Sequence, residues 1–147
     1  MRNGRKTASV FLSVFFILAM VACSKNSDED QIKLIIDSLS KAIEENKPAT
    51  VAEYLHEDFR ANGDMNAQQV KQLLMIHGLQ HRTIALTILG SKTIIDPVYT
   101  DKAESTLSVV TTVSSRGVMP DDGSARVVRL QWQKDSDWKI LKADWQE

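Results

Sequence analysis

Thr83-Ile84-Ala85-Leu86-Thr87-Ile88-Leu89 decides the fold, because it is where the period of the chain changes. Ile84, Leu86 and Ile88 alternate with Thr83, Ala85 and Thr87, and β-branched residues crowd in, which is the pattern of a half-buried strand. Upstream the period is different. Ile32, Ile35, Ile36, Leu39 and Ile43 recur at spacings of three and four, which sets them on one face of a helix from Gln31 to Glu45.

The strand is expected to continue past Gly90 into Thr93-Ile94-Ile95 through a bulge. Asp96-Pro97 turns the chain, and Lys102 to Ser114 forms a long strand with Leu107, Val109, Thr111 and Val113 on one face. A long loop follows from Arg116 to Ser124. Ala125 to Lys134 alternates again and brings Val128, Leu130 and Trp132 together. Asp135-Ser136-Asp137 then turns into a last strand, Trp138 to Trp145. On the helical side, Ser27 and Asp30 have capping-box spacing. Pro48 suits the first turn of a short second helix ending near Leu55. Asn66 can cap a third, Ala67 to His77, with the stripe Val70, Leu73, Leu74 and His77 and Gly78 as its stop. Helices first and hairpin-linked strands after is the order of an α+β domain, three N-terminal helices packed on an antiparallel sheet.

Ahead of the domain, Arg2, Arg5 and Lys6 precede an apolar run from Ala8 to Val21. A basic start, a short apolar run and small residues at a cut site make a secretory signal peptide, and the run is shorter than the roughly 20 apolar residues a membrane span needs. The junction Met20-Val21-Ala22-Cys23 resembles the lipobox of bacterial lipoproteins, with Met20 in place of the usual Leu and Val21 bulkier than the common small residue. The resemblance implies cleavage between Ala22 and Cys23 and acylation of Cys23, the only cysteine of the chain. An unpaired thiol in an oxidising compartment, in a polar stretch with no core, argues the same way. Each buried methylene contributes about 0.8 kcal/mol, so two or three acyl chains, palmitate-like in size, hold the protein to a membrane. Ser24 after the cysteine resembles the pattern sent to the outer membrane. The expectation is therefore a lipoprotein of the bacterial cell envelope on the periplasmic face of the outer membrane: signal peptide 1–22, lipidated polar tether 23–30, domain 31–147.

Without the signal, 15 Lys and Arg stand against 19 Asp and Glu, a formal charge of −4. A mildly acidic domain without a basic patch is a poor nucleic-acid binder, so no nucleic-acid partner is expected.

The step from Leu55 to Phe59, the closing Trp138-Lys139-Ile140 strand and Trp145 resemble the nuclear transport factor 2-like superfamily over about Gln31 to Gln146. The resemblance implies a cystatin-like α+β roll, a strongly curved sheet that with the helices encloses a pocket, and a homodimer through the sheet. Ketosteroid isomerase, in that superfamily, uses a carboxylate base and an oxyanion hole of Tyr plus a protonated Asp. Laid along this chain from Tyr54, its base position falls near Asn62 and its first-helix tyrosine near Ser38, with Asp58 and Asp64 as neighbouring substitutes. Two expected groups are thus missing together. The reading is a non-catalytic module binding a small apolar ligand or an envelope protein; the alternative is a small isomerase, dehydratase or hydrolase acting on a hydrophobic substrate. Candidate pocket polar groups are His77, Tyr54 and Asn62. His77 and His81 have metal-ligand spacing only on a continuous helix, so no metal and no cofactor is expected. His56, beside Glu57 and Asp58, reads as a solvated surface group.

Overall fold

The computed structural model describes residues 27–79, 82–115 and 122–146. The elements run α1 (Asp28–Glu44), α2 (Pro48–Glu53), β1 (Leu55–Ala61), α3 (Ala67–Leu79), β2 (Arg82–Ile95), β3 (Lys102–Ser115), β4 (Asp122–Lys134) and β5 (Trp138–Gln146). The five strands form one sheet in the order β1-β5-β4-β3-β2. The fold is thus α+β with a mixed sheet.

Two expectations need correction. The helices do not all precede the strands, since β1 lies between α2 and α3. Nor is the sheet wholly antiparallel, because β1 pairs parallel with β5. Parallel pairing is possible here because the two strands are joined through most of the domain, far more chain than a crossover requires. α1 starts at Asp28, three residues ahead of Gln31. Ser27 caps α1 by accepting from the Asp30 N–H at 3.2 Å, so Asp28, Glu29 and Asp30 form the first turn, where acids suit the positive end of the helix dipole.

α1 supplies the core through Ile32 and Ile36, packed with Trp132, Trp138, Ile140, Leu130 and Leu107 from the sheet. Trp132 and Trp138 are each 2 % exposed. The N-terminal end of α1 is fixed by Asp28, whose Oδ1 accepts from Lys134 Nζ at 2.5 Å and from Trp138 Nε1 at 3.1 Å. Lys134 Nζ also lies 5.4 Å from the centre of the Trp138 ring. At the other end Glu44 Oε1 accepts from the Leu86 N–H at 2.9 Å, covering a donor of edge strand β2.

The expected bulge is present: the β2–β3 register shifts between Ile88 and Gly90. A second shift, between Gln131 and Trp132, interrupts β4–β5. Bulges bend and twist the strands that carry them.

Gly78 does not stop its helix, which continues to Leu79. Its role is close approach. A Cβ at this position would overlap Asn46 Nδ2 in the turn between α1 and α2, where Asn46 itself holds φ at 51°. We expect Gly78→Ala to lose about 1 kcal/mol, the overlap outweighing the helix propensity gained. In an Asn46→Gly background, which suits the positive φ and removes the clashing amide, the same substitution is expected to stabilise by about 0.5–1 kcal/mol. Urea unfolding of the four proteins reads the change of sign.

Candidate binding face

One face of the sheet is covered by the helices, and alternation assigns residues to it. Along β3 these are Ala103, Ser105, Leu107 and Val109, followed by Thr111 and Val113. On β4 the residues opposite Ala103 to Thr111 are Trp132, Leu130, Val128, Arg126 and Ser124.

The two ends of this face differ. At the end formed by Ala103, Ser105, Leu107, Leu130 and Trp132 the side chains are buried. There the Trp132 indole N–H donates to Ser105 Oγ at 2.9 Å, and Ser105 Oγ shares a hydrogen bond with Thr93 Oγ1 at 2.8 Å. Toward the other end Leu86, Ile88, Thr111, Ser124, Val128 and Trp145 are only half-buried.

α3 crosses this looser end. Its 13 residues span about 20 Å at 1.5 Å each, and it touches both β1 and β2, the two edge strands. Four inter-strand gaps of about 4.8 Å amount to roughly 19 Å, so the helix runs crosswise from one edge of the sheet to the other. Its inward residues are Ala67, Val70, Lys71, Leu74, His77 and Gly78. Leu73, expected inside, is exposed with Ile76 and Leu79.

His77 is where the stripe predicts it, and its Nδ1 is buried with no hydrogen-bond partner. Sequence reasoning missed Arg126. It lies opposite Val109 on the covered face, its Nε is shut off from solvent, and its side chain has polar or electrostatic partners of its own. The signal was available, since Arg126 has the same parity as Val128, Leu130 and Trp132.

The other candidates have structural duties. Asn62, at φ 45°, accepts through Oδ1 from the Trp145 N–H at 3.0 Å, and its own N–H donates to the Ala143 carbonyl at 2.9 Å. It extends the β1–β5 pairing past Ala61, and it also lines an open pocket with Asp64, Met65, Gln69, Leu73 and Ile76. Tyr54 caps the end of α2, and its carbonyl accepts from the Ile140 N–H at 2.9 Å. His56 is not a solvated surface group, for its side chain is 13 % exposed. Its Nδ1 accepts from the Asp58 N–H at 3.0 Å, and its Nε2 lies 3.4 Å from Asp135 Oδ2 in the β4–β5 turn. Ala22, Cys23 and His81 lie outside the described residues. Among the described residues no three His, Cys, Asp or Glu side chains gather to hold a metal ion, and no helix is long and apolar enough to cross a membrane.

No family model and no curated protein matches the sequence at a significant level. Solved structures do match the fold. A Novosphingobium aromaticivorans protein named after scytalone dehydratase superposes with a TM-score of 0.70 at 18% identity, covering 80% of this chain and 82% of that one. A nuclear transport factor 2-like protein with a cystatin-like fold, from the same organism, gives 0.64 at 11% identity, covering 99% and 90%. A hexachlorocyclohexane dehydrochlorinase gives 0.65 at 11% identity, covering 80% and 83%. The chain therefore has the nuclear transport factor 2-like, cystatin-like fold. Identities this low carry no activity across.

Asn62→Ala is expected to cost about 1–2 kcal/mol, from a lost hydrogen bond and a left-handed backbone that Asn tolerates better than Ala. Asn62→Asp keeps the acceptor and should lose less. Thermal unfolding of the two variants makes the comparison.

Proposed function

We propose that this is a lipid-anchored envelope protein whose domain binds a small apolar ligand between α3 and the covered face of the sheet, without catalysis. The anchor is acylated Cys23 after cleavage at Ala22, and the favoured location is the periplasmic face of the outer membrane. The observation that carries the binding reading is the contrast along the covered face: packed solid from Trp132 to Val109, half-covered at Thr111 and Val113 and from Val128 to Ser124. Mostly apolar concave sites with a few convergent polar groups are the usual form of a small-molecule site. Arg126 supplies a cation there, and a guanidinium has five N–H donors, enough to serve an acidic ligand group besides its present partners.

The alternative is an enzyme acting on a hydrophobic substrate. It draws on the buried imidazole of His77 and on structural neighbours named as a dehydratase and a dehydrochlorinase. A histidine base is ordinarily oriented by a hydrogen bond to its second ring nitrogen. His77 Nδ1 has no such partner, which favours binding over catalysis. The outer sheet face, where Leu89 is 69% exposed near Val127, suits a second copy of the chain, as the fold resemblance implies.

The test is mass spectrometry of protein extracted from its native membrane. The mature chain should begin at Cys23 with the mass of its acyl groups, and a small apolar acid should travel with the folded protein. Arg126→Gln should lower retention of that acid about tenfold, the equivalent of about 1.4 kcal/mol, while the acylated mass is unchanged. Retention unaffected by Arg126→Gln, or turnover abolished by His77→Ala, would overturn the binding reading.

A further inference from the structure

The end of the domain that receives the chain from Cys23 also carries an exposed and well-fixed apolar tip. Asp28 is five residues after Cys23, so at most about 18 Å of chain separates them. Asp28 is in turn bound to Lys134 and Trp138 at the root of the β4–β5 turn. The β2–β3 turn is joined to the same place. The Lys134 N–H donates to the Asp101 carbonyl at 2.8 Å, and Gln133 Nε2 donates to Asp101 Oδ2 at 3.0 Å.

On that turn Val98 is 75% and Tyr99 59% exposed. The turn is nevertheless well fixed. Asp96 Oδ1 accepts from the N–H groups of Val98 at 2.8 Å and Tyr99 at 2.9 Å, and these bonds, Tyr99's first, hold the Asp96 carboxyl below the usual carboxylate range. Lys102 closes it by donating its N–H to the Tyr99 carbonyl at 2.8 Å, and its Nζ stands 5.0 Å over the Tyr99 ring. A preformed turn pays little ordering entropy on contact.

We infer that Val98 and Tyr99 form a second contact with the lipid bilayer, seated among the headgroups beside the anchor and setting the domain's orientation. The inference rests on the anchor proposed above. A tyrosine with a lysine beside it, an apolar body and a polar rim, is the kind of group that settles at a membrane–water interface. The β2–β3 and β4–β5 turns carry Asp96, Asp101, Asp135 and Asp137 against Lys102, Lys134 and Lys139 at the adjoining strand ends. The surface it fits is therefore a zwitterionic phospholipid bilayer, held by apolar contact rather than by attraction to anionic lipid. With the domain so oriented, α3 and the half-covered end of the sheet point away from the bilayer.

The mature chain 23–147 can be coupled through Cys23 to a maleimide phospholipid in phosphatidylcholine nanodiscs that carry a gadolinium-chelate headgroup. Amide intensities then report distance from the lipid surface. Val98 and Tyr99 should lose more intensity than Ser136 at the same end of the domain, and far more than Thr87 on the outer sheet face. In the Val98→Ser/Tyr99→Ser double variant the loss should spread evenly over these positions. Equal losses at Val98, Tyr99 and Ser136 in the unaltered chain would overturn the inference. So would concentration-dependent shifts at the tip without lipid, which would assign it to a second copy. Because the coupling is chemical, the result stands apart from native acylation, which the mature mass reports on its own.

Discussion

A buried indole N–H must find an acceptor, and the way Trp132 meets that demand fixes the register of three strands. Its donor reaches Ser105 Oγ on the neighbouring strand, and Ser105 shares a further hydrogen bond with Thr93 on the next. Ser105 is fully buried. Left unpaired, such a group would cost about 1–3 kcal/mol. A one-residue slip of β3 would carry Ser105 to the outer face and expose Leu107 and Val109 with it. The hydroxyls thus specify the alignment that apolar packing rewards. The chain has one cysteine, so no disulfide within the domain shares this task.

The same constraint divides the molecule. Around Trp132 the layer between α1 and the sheet is full: Ile32 and Ile36 fill it, and Asp28 clamps the helix end to Lys134 and Trp138. Farther along the strands, α1 ends at Glu44 and α3 takes over as a crossbar. There the sheet face is less completely covered, and two ionisable groups with buried nitrogens, Arg126 and His77, are at this end. In the proposed reading the solid half provides stability and the looser half provides the binding site. Binding sites are commonly placed on rigid scaffolds in this way.

Much of this was legible in residue spacing. The stripe from Ile32 to Ile43, the period-two runs after Thr83 and the break near Gly90 each reflect a local rule, and each element formed. β1 was not legible. Its partner β5 is far along the sequence, His56-Glu57-Asp58 gives it a polar middle, and its register breaks between Leu55 and Arg60. Of its buried residues, Leu55, Phe59 and Ala61, the first two have the four-residue spacing of a helix. Gly78 was misread because a helix can require glycine for close approach as well as for termination. Asn62 was read for its chemistry, whereas its carbonyl serves a backbone N–H. Arg126 was passed over because a charge on a strand is normally solvated, although its parity pointed inward.

The three tryptophans report on the two halves, since Trp132 and Trp138 are in the solid one and Trp145, half-buried, faces the looser one. Acrylamide quenching of the native protein and of Trp145→Phe therefore tests the division directly. The account predicts that quenching in the native protein comes from Trp145 and that the variant's remaining fluorescence is protected until the protein unfolds. Quenching that persists undiminished in the folded Trp145→Phe protein would contradict it.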